Sequence, residues 1–278
     1  MNEPQQSFTA LVLAGRRGSR DVLADALAAA DASGHHALLD VAGVPMLLRV
    51  IRTLRMAPCI GGIVVSIDDP GALDRVPELK AAVSDGSIRC RAALDSPSRS
   101  VLDALTALGA EEKVLVVTAD HALLTPEMLE CFTAEASAST DVLVGLVSAA
   151  TIRAKYPQTR RTYLKLRDGW YSGANLFAFL TPEARRAADF WQRAEQFRKQ
   201  PWRLVRSFGL VSLLLFLTRR LDLDAALARA SFVIGARIRA VRMPFAEAAI
   251  DVDRPADLAL VNTILEARTH PESQPHAR

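Results

Sequence analysis

The sequence predicts a three-layer α/β/α sandwich around a mostly parallel sheet, and three observations carry that expectation. Short apolar runs without polar alternation recur along the first half of the chain, as strands covered on both faces do. Segments with helical signatures lie between them. Half of the 278 residues are hydrophobic, enough to bury a full core.

The elements follow in order. "FTALVLAG" (8–15) reads as the first strand, "VPMLLRVIRTLRM" (44–56) as a helix and "IGGIVVSI" (60–67) as the second strand. "RSVLDALTALG" (99–109) is helical, and "VLVVTAD" (114–120) is a strand that delivers one carboxylate, Asp120, where its apolar run ends. Thr125-Pro126-Glu127 then supplies a cap residue, a proline at the first helical position and an acid in the first turn, so "TPEMLECFTAEA" (125–136) is a helix. "DVLVGLVS" (141–148) is the fourth strand. After residue 150 the pattern changes: "TRRTYLKLRDGWYSGANLFAF" (159–179) reads as two strands joined at Asp168-Gly169. A helical stretch from about 182 to 235 and a strand, "RIRAVRMPF" (237–245), complete the sheet. We expect a single domain over 1–266, with a helical insertion over about 185–235 and a disordered tail over 267–278.

Composition excludes some classes. A net charge of +3 is too small for a general nucleic-acid binder that works by neutralising phosphates. Cys59, Cys90 and Cys131 are scattered and lack metal-ligand spacing, as expected of small core residues in a reducing compartment. The first ten residues lack a signal-peptide pattern, and "FGLVSLLLFL" (208–217) is about half the length of a bilayer span. The expectation is a cytoplasmic protein with a small or phosphorylated partner.

Three constellations could carry chemistry. "LVLAGRRGSR" (11–20) runs a strand into a turn with Gly15, Gly18, Arg16, Arg17 and Arg20. There, backbone N–H groups could approach a phosphate and guanidinium groups could bind it, although a glycine turn after a strand is commonly only a turn. Asp120 lies past a strand end, where open parallel sheets bind ligands, and it could equally be a turn former. In "AAIDVDRPADLALV" (248–261), Asp251 and Asp253 alternate around a valine. Carboxylates at i and i+2 project to one side of an extended segment and suit a hard cation such as Mg²⁺; capping of the following helix by Asp253 is the structural alternative. Together the three supply the parts for Mg²⁺-assisted nucleotidyl transfer, with Asp120 as a metal carboxylate.

At these residues the chain resembles the MobA-like NTP transferases. These belong to the nucleotidyltransferase superfamily, which includes molybdenum cofactor guanylyltransferase and the sugar-phosphate and methylerythritol-phosphate nucleotidyltransferases. "LVLAGRRGSR" resembles the LAGGxGxRM loop, and "HHALLDVAGVPMLLRVI" (35–51) the K-x-L-x-x-x-G-x-P-M-L segment. "SPSRSVLDAL" (96–105) is similar to S-V-x-x-A-L, "TADHALLTPEML" (118–129) to the metal-binding D-x-P region, and "IDVDRPADL" (250–258) to D-x-D-T-P-x-D-L. The resemblance spans roughly residues 8–180 and 237–265 and implies a Rossmann-like, GT-A-like nucleotidyltransferase fold. It implies that Leu13, Ala14, Gly15, Arg16, Arg17, Gly18 and Arg20 bind the nucleotide, with Arg20, His36 and Asp120 catalytic and Ser100 near the base or ribose. It also implies that Asp120, Asp251 and Asp253 hold Mg²⁺. In "YSGANLFAF" (171–179) it implies that Gly173 and Asn175 lie beside the acceptor. The substrates implied are an NTP, CTP or GTP, and a phosphorylated acceptor such as a sugar or polyol phosphate or molybdopterin.

Two departures stand out. Arg16 replaces the second glycine of LAGG, and His36 stands where the family has a phosphate-binding lysine. A neutral imidazole offers one donor and no full charge. Either Arg17 or Arg20 compensates, or the histidine pair makes activity pH-dependent, or activity is weak. His121 reads as a loop residue. The insertion combines Trp191, Phe197, Trp202 and Phe208 with many Arg and Lys. It reads either as a helical cover over the acceptor site or as a peripheral membrane contact through 190–217. A glycosyltransferase of similar architecture and a non-catalytic nucleotide-binding module are the rival functions.

Overall fold

The computed structural model describes residues 7–15, 35–196, 214–215 and 218–269. The strands are β1 (Phe8–Leu13), β2 (Asp40–Val41), β3 (Val44–Pro45), β4 (Ile60–Ile67), β5 (Arg89–Ala92), β6 (Val114–Thr118), β7 (Val142–Ser148), β8 (Leu164–Lys165), β9 (Trp170–Phe179) and β10 (Ile238–Arg242). The helices are α1 (Met46–Met56), α2 (Pro77–Ser84), α3 (Pro97–Leu108), α4 (Pro126–Thr133), α5 (Ala149–Lys155), α6 (Arg185–Gln196), α7 (Leu223–Ile234) and α8 (Pro255–Thr269). The main sheet has the order β10–β7–β9–β6–β1–β4–β5, with β8 pairing β9, while β2 and β3 form a separate small hairpin.

Helices cover both faces, as the apolar runs require. Along β1, Phe8, Ala10 and Val12 pack on one side with α1, α2 and α4, whereas Leu11 packs on the other with α3 and α6. Leu47, Ile51 and Leu54 recur at helical spacing on α1 and are fully buried. Burial of each such side chain stabilises the fold by about 1.5–3 kcal/mol, so a charge at Ile51 would break the seam.

Helix starts follow their capping residues. The Thr125 hydroxyl accepts from the Met128 N–H at 3.4 Å, with Pro126 at the first position and Glu127 in the first turn. Helix α3 begins at Pro97 rather than at Arg99, because Ser96 caps it and proline is preorganised for the first turn. At the other end of the chain, α8 continues to Thr269, past Glu266, where the tail was expected to begin.

The sheet is mostly parallel, with one reversal that matters. β9 lies between β6 and β7 and is antiparallel to both, whereas β1, β4, β5 and β6 pair in parallel, as do β7 and β10. Tyr171 therefore sits opposite Ser148, which brings the first half of β9 to the carboxyl edge of its neighbours. That edge is where parallel sheets bind ligands. The register of β9 slips beside Val144 and Leu146, and there Asn175 adopts φ 50°. Gly145 makes room for this bulge: a Cβ on it would lie 3.1 Å from the Cβ atoms of both Ala174 and Leu176.

Candidate active site

Three loops meet at the carboxyl edge. The strand β6 ends at Thr118, so Asp120 lies just beyond it, buried, with the Thr118 hydroxyl donating to its carboxylate. The backbone N–H of Val252 donates to the Asp120 carbonyl at 3.1 Å. The Val252 side chain is itself fully buried, beside Leu123 and Ile250. One backbone bond and one apolar anchor thus fasten the C-terminal segment to the loop after β6. The flanking Asp251 and Asp253 are turned toward Asp120, and one carboxylate oxygen from each of the three lies within 4.8 Å of the others. The residues expected to share an ion come together across nearly half the length of the chain.

Asp251 is held by two further contacts. Asn175 Nδ2 donates to one of its oxygens at 3.0 Å, and Arg161 is ion-paired to the other. Arg161 also pairs with Asp257 at 2.9 Å. The Asp257 carboxyl is pushed above its ordinary range, first by burial, against the pull of Arg161. Behind the cluster, His121 is fully buried, and burial lowers its pKa to about 4, so the ring is neutral near pH 7. Neither His121 nitrogen has a hydrogen-bond partner among the described residues.

A cavity of about 520 Å³ borders Asp120 and Asp253. Leu13, Ala14, Gly15, His36, Ser100 and Asp120 line it, as do Asn175 and Asp253. At Gly15 a Cβ would come within 2.6 Å of Ala93, so only glycine permits this close passage. His36 stands on a short turn of 3₁₀-helix, and its Nε2 is buried without a partner among the described residues. His35 is engaged instead: Nε2 lies 3.0 Å from Asp68, and Nδ1 accepts from the Ala37 N–H. Arg16, Arg17, Gly18 and Arg20 lie outside the described residues.

Ser100 lines this cavity, but its hydroxyl shapes the wall. It donates to the Ser96 carbonyl at 3.1 Å and accepts from the Leu94 N–H at 2.9 Å. The insertion helix α6 supplies residues the sequence reading did not assign to this cavity. Trp191 packs on Phe177 with ring centres 5.5 Å apart, and Glu195 accepts from the buried Ser98 hydroxyl; all but Ser98 line the cavity. Trp191 thus faces inward. Phe197, Trp202 and Phe208 lie outside the described residues, and no helix among those described is long and apolar enough to cross a membrane.

A second cavity, of about 380 Å³, adjoins the first, with Asn175 and Asp253 lining both. Gly173, Arg160, Arg161, Arg254 and Asp257 contribute to its lining. Gly173 and Asn175, the expected acceptor-side pair, both line this cavity. Arg161 carried no local signal in the sequence, because it is 90 residues from the Asp251 it pairs with.

The model of the MobA-like NTP transferase domain matches residues 10–200, most of the chain. The chain belongs to this family. It is a nucleotidyltransferase, and its fold agrees with solved relatives. A hypothetical transferase from Thermus thermophilus superposes with a TM-score of 0.73 at 29% identity, covering 91% of this chain and 100% of that one. A CMP:2-keto-3-deoxy-manno-octonic acid synthetase complexed with CTP gives 0.54 at 15% identity, covering 95% and 100%. The 4-diphosphocytidyl-2C-methyl-D-erythritol synthase of Anaerococcus prevotii gives 0.54 at 14%, covering 94% and 97%. A search of curated proteins finds no match.

Proposed function

We propose that this MobA-like transferase joins NMP from an NTP, CTP or GTP, to a phosphorylated small molecule in an Mg²⁺-dependent reaction that releases pyrophosphate. The observation that carries the reading is the meeting of two cavities at one carboxylate cluster, with Asn175 and Asp253 common to both. Such an arrangement suits two substrates whose reacting atoms must come within bonding distance.

The three carboxylates offer hard oxygen donors close enough together to hold a divalent ion. When bound, that ion would supply charge neutralisation at the α-phosphate. The chain's own residues do the remainder. Ala14 and Gly15 line the larger cavity, where the close pass at Gly15 lets backbone approach a triphosphate. His36, with Nε2 unpartnered among the described residues, offers one polar atom to the nucleotide. Asn175 fixes Asp251, and the cationic lining of the smaller cavity suits a phosphorylated acceptor. An acceptor phosphate oxygen forms a bond to the α-phosphorus, the bond from that phosphorus to the bridging oxygen breaks, and pyrophosphate leaves with the electron pair. No protein nucleophile is required.

The test is pyrophosphate release by the purified chain with each of the four NTPs and Mg²⁺, across sugar phosphates, polyol phosphates and molybdopterin. Thermal stabilisation by each NTP is read in parallel. Release with one base and one acceptor class, abolished in Asp120→Asn, is expected. Stabilisation without release from any pair would favour a nucleotide-binding module, and the absence of both stabilisation and release would overturn the reading. A cytoplasmic location accompanies the proposal, and tagged-protein fractionation tests it; recovery with membranes would instead direct attention to residues 190–217.

A further inference from the structure

The smaller cavity has a neighbour on its far side. A third cavity, of about 590 Å³, adjoins it, and Arg160, Arg254 and Asp257 line both. Asn175 and Asp253, which the smaller cavity shares with the larger one, do not line the third. The three cavities therefore follow one another, and the two arginines stand at the second junction. Beyond it the wall includes Tyr156, Pro157, Gln158 and Leu260.

The chain holds these arginines in place through their neighbours. Helix α5 stops at Lys155, because Tyr156 leaves helical geometry and Pro157 cannot extend the helix. Tyr156 is pinned: its hydroxyl donates to the buried Glu247 at 2.7 Å, and its carbonyl accepts from the Thr159 N–H at 3.1 Å and hydroxyl at 2.9 Å. The turn delivers Arg160 beside Arg161, whose guanidinium bonds Asp251 and Asp257. Arg254 stands just before α8, and its carbonyl accepts from the Asp257 N–H at 2.9 Å. The Arg161–Asp257 pair thus fastens together two segments, one bearing Arg160 and the other Arg254.

The side chains of those two arginines are uncommitted. Both are exposed, and neither guanidinium forms a hydrogen bond or ion pair among the described residues. Nearby cations differ: Lys155 pairs with Glu247, and Arg161 with two aspartates. Asp257 feels the charge of Arg254, but its carboxylate is already bonded to Arg161. A single exposed arginine is ordinarily a solvated surface group. Two that line one junction between cavities offer planar sets of donors suited to a phosphate or carboxylate.

We propose that the acceptor carries two anionic groups: a reacting phosphate facing the carboxylate cluster, and a second phosphate or a carboxylate bound by Arg160 and Arg254. The far end of the acceptor then enters the third cavity. The identity of the reacting end rests on the proposed transfer reading, whereas binding of the second group requires no turnover.

The experiment is isothermal titration calorimetry on the full chain at fixed Mg²⁺, without nucleotide, using matched probes. 3-Phosphoglycerate against glycerol 3-phosphate adds a carboxylate, and glucose 1,6-bisphosphate against glucose 1-phosphate adds a phosphate. At least one doubly anionic probe should bind about tenfold more tightly than its match, because hydrogen bonds to charged groups are the strong ones. The pair that shows the advantage tells a carboxylate from a phosphate as the second group. In Arg160→Gln and Arg254→Gln the advantage should largely disappear, whereas Arg160→Lys, which keeps the charge, should retain part of it. Both side chains are exposed, so the variants should melt with the wild type. Equal affinities within both pairs, or an advantage untouched in both glutamine variants, would overturn the proposal. Preference for a doubly anionic probe that the variants lose, without pyrophosphate release from any substrate pair, would uphold the anion site while removing the transfer reading. Pyrophosphate release that is as efficient with singly anionic acceptors would keep the transfer reading and overturn this one.

Discussion

Two buried aspartates at opposite edges of one sheet have opposite fates. Asp141 precedes β7 at its amino end, and its carboxylate accepts from the Arg237 backbone N–H at 2.6 Å, from two guanidinium nitrogens of Arg237 and from the Thr181 hydroxyl. These donors, Arg237 foremost, hold its pKa down at about 2. Asp120 follows β6 at the carboxyl end, and two other carboxylates approach within 4.8 Å. Both are buried, but one carboxylate is held by an arginine and a threonine, while the other, which accepts from Thr118, shares its surroundings with two further carboxylates. The first arrangement ties β7, β9 and β10 together; the second brings like charges close together, a cost that a bound cation would offset. The stabilising pair and the candidate site thus occupy opposite edges of one sheet.

Swapping charge for neutrality at each aspartate should separate the two roles most sharply. Asp120→Asn is expected to lower pyrophosphate release by about a thousandfold, with melting temperature unchanged or raised because a repulsive charge is gone. A turnover assay and a melting curve on one preparation check both halves, and wild-type rates would remove Asp120 from the chemistry.

Asp141→Asn should do the reverse. Its loss is expected to cost about 1–2 kcal/mol of stability near pH 7, discounted because Arg237 is half-exposed, while turnover per folded molecule stays the same. The pH sign follows from the depressed pKa. The contribution of Asp141 is fully present above its unfolded value of about 4 and disappears as pH falls toward about 2. Denaturant titrations at pH 7, 4 and 2.5 should therefore show the gap between wild type and variant closing with acid. A gap independent of pH would mean that the pairing with Arg237 is not its source.

A finer comparison lies within one residue. Asn175 combines a left-handed backbone with a donor to Asp251. Asn175→Gly should keep the fold, because glycine adopts that conformation freely, and lose activity roughly tenfold. Asn175→Ala should lose about 1 kcal/mol of stability as well. Equal stability of the two variants would show that the bulge does not constrain the backbone. The smallest expected effect is at His36, where His36→Lys supplies a permanent cation facing the larger cavity and should lower the KM for NTP several-fold with little change in kcat. An unchanged KM would place the triphosphate elsewhere.

How far the site could be read from the chain depends on distance along it. The alternation of buried strands and capped helices was legible, because each signal lies within a few residues: Thr125 caps the helix that Pro126 begins, and Leu11 faces away from Ala10 and Val12. The three carboxylates were legible as parts, since each stands beside a recognisable local pattern. Arg161 was not, nor was the inward face of α6, because nothing local to Trp191 or Glu195 indicates that they border Phe177 and Ser98. The β5 strand, "RCRA", was missed for a related reason: it is short, polar and at the sheet edge.

By itself the sequence determined most of the strands and helices, though not the β2–β3 hairpin, α2, β5 or α5, and which side chains could carry charge to a strand end. Those outcomes depend on steric and hydrogen-bonding preferences that act over a few residues. Only the tertiary structure decided that β9 runs backward between β6 and β7, carrying Asn175 to the carboxyl edge. It likewise decided that the Val252 N–H reaches the Asp120 carbonyl, bringing Asp251 and Asp253 beside Asp120. The physical reason is that a charge cluster is a property of distances in space, and burial of Val252 and the strands of the sheet sets those distances.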